Sequence, residues 1–596
     1  MNLNKEQAIF LAIIDLILVY FFTGVILLLL NDYGIKGIIP NYSLSLTLDG
    51  IINGYPKIVE SILLALLICT LLVFIIPFLP KKEQLHGSAR FANVQEVKNK
   101  MKLFAEKGII VGKKGNRLLR LPGQQFVALA APTGTGKGVS IVIPNLLDWT
   151  QSCVVLDIKQ ENFSITSKFR QEVLKQEVYL VNPFSFETHR YNPLTYIDME
   201  DNEKRDLQLM DLANILYPHG GTENDKFFNQ NAQNLFIGLC YMYKDLTSSQ
   251  EGLALLQDIN FTPNFTLYGI LDMAQNMEIK LDESADTIKG FDKIIEFLNS
   301  YEYLSQDTNN RFNSYLNIES KNTKSGVWSS FITPLLFFQN EVTKKSTSQS
   351  DFDLRDLRKK RMTIYIGITP DELAKAQLFL NILWSQIISL NTKELPEHNK
   401  DLKYECLLMM DEFTAIGYMP ILQKSVSYIR GYALRLVTIF QNISQIQDAR
   451  PTGYGREGAK TLLSNHGCKV YFAQEESEDA ELVSKLLGYK TIKQTSRSFN
   501  QGGKSGGSTS RSVSETKRAL MLPQELKELD YKKEIVTVLG NKPLVCEKAF
   551  YYNNAYFMDK LKKVSPTLRR VKKIPTQEQL SKALLRKELS IKIKKV

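Results

Sequence analysis

Histidine and paired cysteine are what this 596-residue chain most lacks. Its five histidines (His86, His189, His219, His398, His466) are dispersed, with no metal-ligand spacing among them. None of the six cysteines (Cys69, Cys153, Cys240, Cys406, Cys468, Cys546) belongs to a C-x-x-C pair. A zinc site and a disulfide frame are therefore excluded as organising devices. Several cysteines stand inside apolar runs, as in Cys406-Leu-Leu-Met-Met410, and read as buried thiols in a reducing compartment. Acid is also in short supply, with 63 Asp and Glu against 74 Lys and Arg, which leaves a net charge of +11. That excess points to an acidic partner such as nucleic acid or anionic lipid, or else to the charge bias of membrane topology. Apolar residues are not lacking: a hydrophobic content of 44% leaves no large part of the chain to disorder.

Two long apolar runs come first, 8–30 and 58–79, each reaching the roughly 20 residues that a bilayer-crossing helix needs. No small-x-small cleavage site follows the first run and Lys5 alone precedes it among basic residues, which disfavours a cleaved signal peptide. The pair reads as a helical hairpin across a membrane. Lys81 and Lys82 follow the second run and lean toward a cytoplasmic exit. The nucleotide motif downstream puts both termini in the cytosol, where ATP is. Asp15 lies within the first run and is expected either to face a partner helix or to sit near the hydrated interface.

Beyond the runs, Phe126-Val-Ala-Leu-Ala-Ala131 is strand-like and leads through Ala131-Pro-Thr-Gly-Thr-Gly-Lys-Gly138 into the apolar segment 139–147. Strand, glycine loop, lysine and helix form the context of a phosphate-binding loop. Backbone N–H groups of Thr133, Gly134, Thr135, Gly136, Lys137, Gly138 and Val139 can wrap phosphates there, and Lys137 can reach the β- and γ-oxygens. Two positions depart from the usual pattern: Ala131 replaces the first glycine, and Gly138 replaces the hydroxyl that helps hold Mg²⁺. A second motif supports the first. The run 406–410 ends in Asp411-Glu412, the Walker B arrangement, in which Asp411 would bind the Mg²⁺ shell and Glu412 would orient the attacking water. Further strand-like runs at 153–156, 362–367, 436–440, 469–473 and 534–539 predict one large α/β sheet. Gln441 ends one of them, placed to sense a γ-phosphate or to serve as an ordinary strand-end polar group. Arg430 follows a helical stretch, 421–429, and reads either as a finger supplied to a neighbouring subunit or as a helix cap.

Taken together the motifs resemble the type IV secretion coupling proteins, the conjugation-type coupling ATPases. The resemblance runs from the apolar hairpin to about residue 552. It includes Leu85-His-Gly-Ser-Ala-Arg-Phe91, the glycine loop, Asp157-Ile-Lys-Gln-Glu161, Asn182-Pro-Phe-Ser185, Tyr191-Asn-Pro-Leu194, Asp411-Glu-Phe413, Arg430-Gly-Tyr-Ala-Leu-Arg435 and Phe440-Gln-Asn-Ile-Ser-Gln445. It implies a RecA-like nucleotide domain with an inserted all-α domain and a hexameric ring beneath two membrane helices. It also implies ATP with Mg²⁺, and delivery of DNA–relaxase complexes or effector proteins to a secretion channel. Gly138 is shared by the branch that the chain looks closest to, and the resemblance favours Arg430 as a finger acting in trans. A chromosome-segregation translocase of the FtsK kind shares several of these motifs. It typically carries more spans and a long linker before the motor, which here begins soon after the second run. A third reading is a nucleotide-binding scaffold with little hydrolysis.

On these grounds the chain divides into a hairpin (1–80), a nucleotide domain in two parts (81–197 and 351–558), a helical insertion (198–350) and a basic tail (559–596). In the insertion, the runs 207–216, 227–243 and 291–298 read as helices, with Phe227, Phe228, Tyr241 and Tyr243 as core. The stretch 496–514, rich in Ser and Gly, reads as a flexible linker. The tail would bind phosphate or simply be solvated.

Overall fold

Apolar runs that bury both faces make central strands, and runs with one apolar stripe make helices around them. The computed structural model describes residues 5–31, 43, 45–75, 85–280, 287–500 and 508–596. It comprises two units, Met1–Leu85 and His86–Val596.

In the first unit, helix Lys5–Leu30 packs antiparallel on helix Ile58–Ile75. The Lys57 ammonium donates to the Leu30 carbonyl (2.6 Å), closing the end where the chain turns back. Asp15 faces its partner helix, accepting a hydrogen bond from the Thr70 hydroxyl at 3.2 Å. The remainder of the second run, 76–79, and the lysines at 81 and 82 lie outside the described residues.

The second unit is built on strands β1 (Ile109–Lys114), β2 (Arg117–Leu121), β3 (Val127–Ala130), β4 (Ser152–Leu156), β5 (Glu177–Val181), β6 (Met362–Ile366), β7 (Cys406–Met410), β8 (Leu434–Phe440), β9 (Cys468–Tyr471), β10 (Tyr489–Asn500), β11 (Ser508–Ala519), β12 (Lys533–Val538) and β13 (Leu544–Glu547). Among the described residues, eleven of them form one sheet in the order β2-β1-β13-β12-β9-β3-β8-β7-β4-β6-β5. The seven strands from β9 to β5 run parallel, and the other four add on antiparallel. Every side chain of β7 is buried. Leu408 and Met410 enter the core on one face, Leu407 and Met409 the core on the other. The expected α/β sheet is present, and its parallel strands all end on one edge, where ligands of such sheets bind.

Between β5 and β6 the described chain is helical, from Asn202–Leu216 through the long helix Glu223–Ser248 to Glu341–Ser346. Tyr241 is buried and Tyr243 stacks on Phe265, whereas Phe227 is 45% exposed and not the core residue expected. Its place on the first turns of the long helix turns it outward. Helix Leu373–Leu390 is apolar enough to cross a membrane, but half of it is buried in the protein. Phe379, Leu383 and Trp384 make it a core helix instead.

Three expectations are corrected. Segment 496–514 is not simply a linker: β10 and β11 pair antiparallel from Tyr489↔Ala519 to Asn500↔Ser508, and 501–507 lies outside the described residues. Thr491, Ile492 and Thr495 on one arm and Thr509, Val513 and Thr516 on the other are strand formers, which suits pairing whatever the glycine content of the tip. Segment 559–596 is not merely a solvated basic tail. Helices Ala555–Lys562, Pro566–Arg569 and Gln577–Leu585 bury Leu561, Leu568 and Leu580 against Ile143, Leu147 and Phe169, and Leu589 beyond them joins the same cluster. The stretch 421–429 is not one helix but a short helix, Pro420–Ser425, and a tight turn, Ile429–Tyr432.

Candidate nucleotide site

The glycine loop starts where β3 runs out of partners. The Ala131 N–H still donates to the Phe440 carbonyl (2.9 Å), and Ala131 is fully buried. Gly134 (φ +78°) and Gly136 (φ +84°) then take left-handed backbone, a region in which a Cβ is strained. At Gly136 a Cβ would also stand 2.8 Å from the Tyr531 hydroxyl. Gly138 differs, since nothing lies within 4 Å of where its Cβ would be. The absence of Ser or Thr there is a matter of chemistry and not of space. The chain passes directly into helix Gly138–Asp148. Asn145 clamps that helix to β1, accepting from the Ile110 N–H (2.7 Å) and donating to the Ile110 carbonyl (2.9 Å).

Two strands from β3, β7 delivers the acids, with β8 between them. Glu412 holds φ +62°, an unfavourable conformation for a residue with a side chain, costing roughly 1–3 kcal/mol. Its Oε1 contacts Lys137 Nζ, and its Oε2 accepts from Gln441 Nε2 at 3.2 Å. Asp411 Oδ1 lies 4.0 Å from the same ammonium. Lys137, Asp411, Glu412 and Gln441, far apart in sequence, thus meet at the carboxyl edge of three adjacent strands. Thr133 and Gln441 line a cavity of about 170 Å³ beside them, and Val139 lies on the opposite flank of the loop, beside Gly136.

Burial sets the electrostatics. It pushes the Asp411 carboxyl up to about 6, with the Lys137 charge and the Asn162 amide opposing and Glu412 and Glu161 adding. Asp157, at the end of β4, is pushed by burial up to about 7, even though the Phe163 N–H (2.7 Å) and Asn162 N–H (3.3 Å) donate to it. Asp411 Oδ1 is buried and has no hydrogen-bond partner. A buried carboxylate oxygen without a hydrogen-bond partner beside a phosphate loop fits Mg²⁺, which takes one or two carboxylates together with phosphate oxygens and water. Left-handed glycines that turn backbone N–H groups inward, and a lysine beside them, fit a polyphosphate.

Sequence motifs missed part of the surroundings. Lys548, just past β13, donates to the Thr135 carbonyl at 2.8 Å and so ties down the loop. Burial lowers its ammonium to about 8, with Glu534 and Asp530 opposing. Tyr531 and Phe550 stack beside Gly136, ring centroids 5.5 Å apart. These residues flank the antiparallel strands β12 and β13, about 400 positions from the loop, and no local pattern announces them. Arg430 stands apart from the cluster. It is exposed, near the start of β8, and Gln441 follows the other end of that strand, which at ~3.3 Å per residue is about 20 Å long. Its guanidinium lies 5.5 Å from the Phe126 ring and makes a 3.5 Å contact to the Asn465 carbonyl at the end of helix Gly455–Ser464.

Residues 88–573 match the family described as Type IV secretory system Conjugative DNA transfer. The chain is 28% identical over 484 residues to protein VirD4 of Rhizobium radiobacter, covering 80% of this chain and 65% of that protein. It therefore spans just under two thirds of that relative's length. It is 25% identical over 544 residues to conjugal transfer protein TraG of Escherichia coli, covering 83% and 81%. Among solved structures, plasmid coupling protein TrwB in complex with the non-hydrolysable ATP analogue ADPNP, and with ADP and Mg²⁺, superimposes with a TM-score of 0.53 at 16% identity. The two complexes cover 79% of this chain and 95% and 96% of theirs. At that identity the likeness concerns the fold.

Proposed function

The chain belongs to the type IV secretory system conjugative DNA transfer family, and from that premise we propose that it is an inner-membrane coupling ATPase that delivers substrates to a type IV secretion channel. Its substrates are DNA–relaxase complexes, effector proteins or both. The reading rests mainly on the convergence of Lys137, Asp411, Glu412 and Gln441 at one strand edge. Lys137 and the loop N–H groups from Thr133 to Val139 bind the triphosphate of ATP, and Asp411 holds Mg²⁺. Glu412 orients the water with Gln441 beside it. Bound Mg²⁺ supplies charge neutralisation on the phosphates. TrwB, a relative in fold, has been solved with an ATP analogue and with ADP and Mg²⁺.

Arg430 is exposed and stands near the opposite end of β8 from Gln441, which supports service to a neighbouring subunit in a homo-hexamer. The two apolar helices of the first unit anchor the chain, with both termini cytoplasmic. The test is single-stranded-DNA-stimulated ATP hydrolysis by the full chain in detergent. Lys137→Ala and Arg430→Ala should each lose turnover, the latter by about 10³-fold or more. Mixing the two variants should restore part of it, since each supplies what the other lacks. Lys137→Ala turning over ATP at the normal rate would refute the ATPase reading, and mixtures without recovery would refute the trans role of Arg430.

A further inference from the structure

The two flanks of the glycine loop differ in chemistry. On one, Glu412, Asp411 and Gln441 gather around Lys137, and this is the end that handles the terminal phosphate. On the other, beside Gly136 and Val139, the protein presents rings. Tyr531 leaves β12's entry loop with its hydroxyl so near Gly136 that a Cβ there would stand 2.8 Å away. One face of its ring lies on Phe550, with planes 14° apart. Phe550 is buried, yet Tyr531 remains 50% exposed. An aromatic ring held rigidly by a buried neighbour, half open to solvent and touching a phosphate loop, is an unusual use of apolar surface. Lys548 fixes the spacing, joining the Thr135 carbonyl (2.8 Å) to this cluster, with its ammonium 4.9 Å from the Tyr531 ring centre.

We infer that Tyr531 is the platform on which the nucleotide's base stacks, so that the site recognises nucleoside triphosphates by the face of the base and not by its edge. A triphosphate whose terminal group lies at Lys137 and Glu412 runs along the loop N–H groups and leaves at the Gly136–Val139 flank, where Tyr531 stands. Stacking is tolerant of base identity because every base has a π-face. The hydroxyl of Tyr531 points at Gly136 of the loop. This inference deepens the proposed ATPase reading and rests on it.

Calorimetric titration of the full chain in detergent with ATP, GTP and inorganic tripolyphosphate tests it. Tyr531→Ala should weaken ATP and GTP about tenfold or more and leave tripolyphosphate unchanged, whereas Tyr531→Phe should bind as wild type. Unchanged ATP binding in Tyr531→Ala would overturn the inference. So would equal weakening of tripolyphosphate, which marks a collapsed loop, or a wild-type preference between ATP and GTP beyond about tenfold. Lys137→Ala serves as the separate control: if it binds tripolyphosphate as wild type does, the phosphate-loop reading itself falls, whatever Tyr531 does.

Discussion

Asp157 and Asp411 are two carboxyls closed off at the ends of neighbouring strands, and burial raises both. For Asp411 a cation is the natural compensation. Asp157 has none, and it spends its oxygens on the first N–H groups of helix Glu161–Lys168. A carboxyl whose folded value is raised to about 7 from 3.8 binds more protons folded than unfolded between those limits. Its contribution to stability is therefore full below pH 3.8 and lost as pH rises to about 7. Asp157→Asn cannot titrate. Thermal unfolding at pH 5 and pH 8 should show wild type losing more stability across that interval than the variant does. Equal losses would mean that Asp157 is ionised throughout.

At the scale of elements, the helices following β13 are the least expected part of the molecule. Lysines and arginines are frequent in this segment, but Leu561, Val564 and Leu568, spread over two helices and the link between them, are all buried against the helix that leaves the glycine loop. Leu568→Ala should destabilise the chain by about 2–5 kcal/mol through the cavity it leaves. Lys573→Ala, an exposed neighbour, should stay within about 0.5 kcal/mol. Denaturant unfolding of both variants checks this, and equal effects would deny the segment a place in the core. The same contrast marks what sequence could reveal. Strand, loop and helix at 127–148 are legible because each signal is local: a buried apolar run, glycines where φ must be positive, and a lysine at the helix start. So is the acidic pair after β7. Charge counts concealed the packed helices, and glycine content concealed β10 and β11. Tyr531, Phe550 and Lys548 were invisible because only the antiparallel extension of the sheet brings them to the loop.

On the scale of the whole molecule, one sheet edge gathers residues from distant stretches of chain, with a mainly helical stretch, from Asn202–Leu216 to Glu341–Ser346 among the described residues, inserted between β5 and β6. The insertion leaves the strand order undisturbed because both its ends return to paired neighbours, β5 and β6. The helical stretch and the sheet share one core, in which Leu235 and Phe236 join Leu408 and Met410, and helix Leu373–Leu390, apolar as it is, packs into that core through Phe379, Leu383 and Trp384. The account depends on Lys137 and the Asp411–Glu412 pair sharing one nucleotide. Its most direct test is an experimental structure of the full chain with ADPNP and Mg²⁺. The γ-phosphate should lie within hydrogen-bonding reach of Lys137 Nζ, with the ion on Asp411 and the base against Tyr531. A nucleotide bound with its γ-phosphate out of reach of both Lys137 and Glu412 would contradict it.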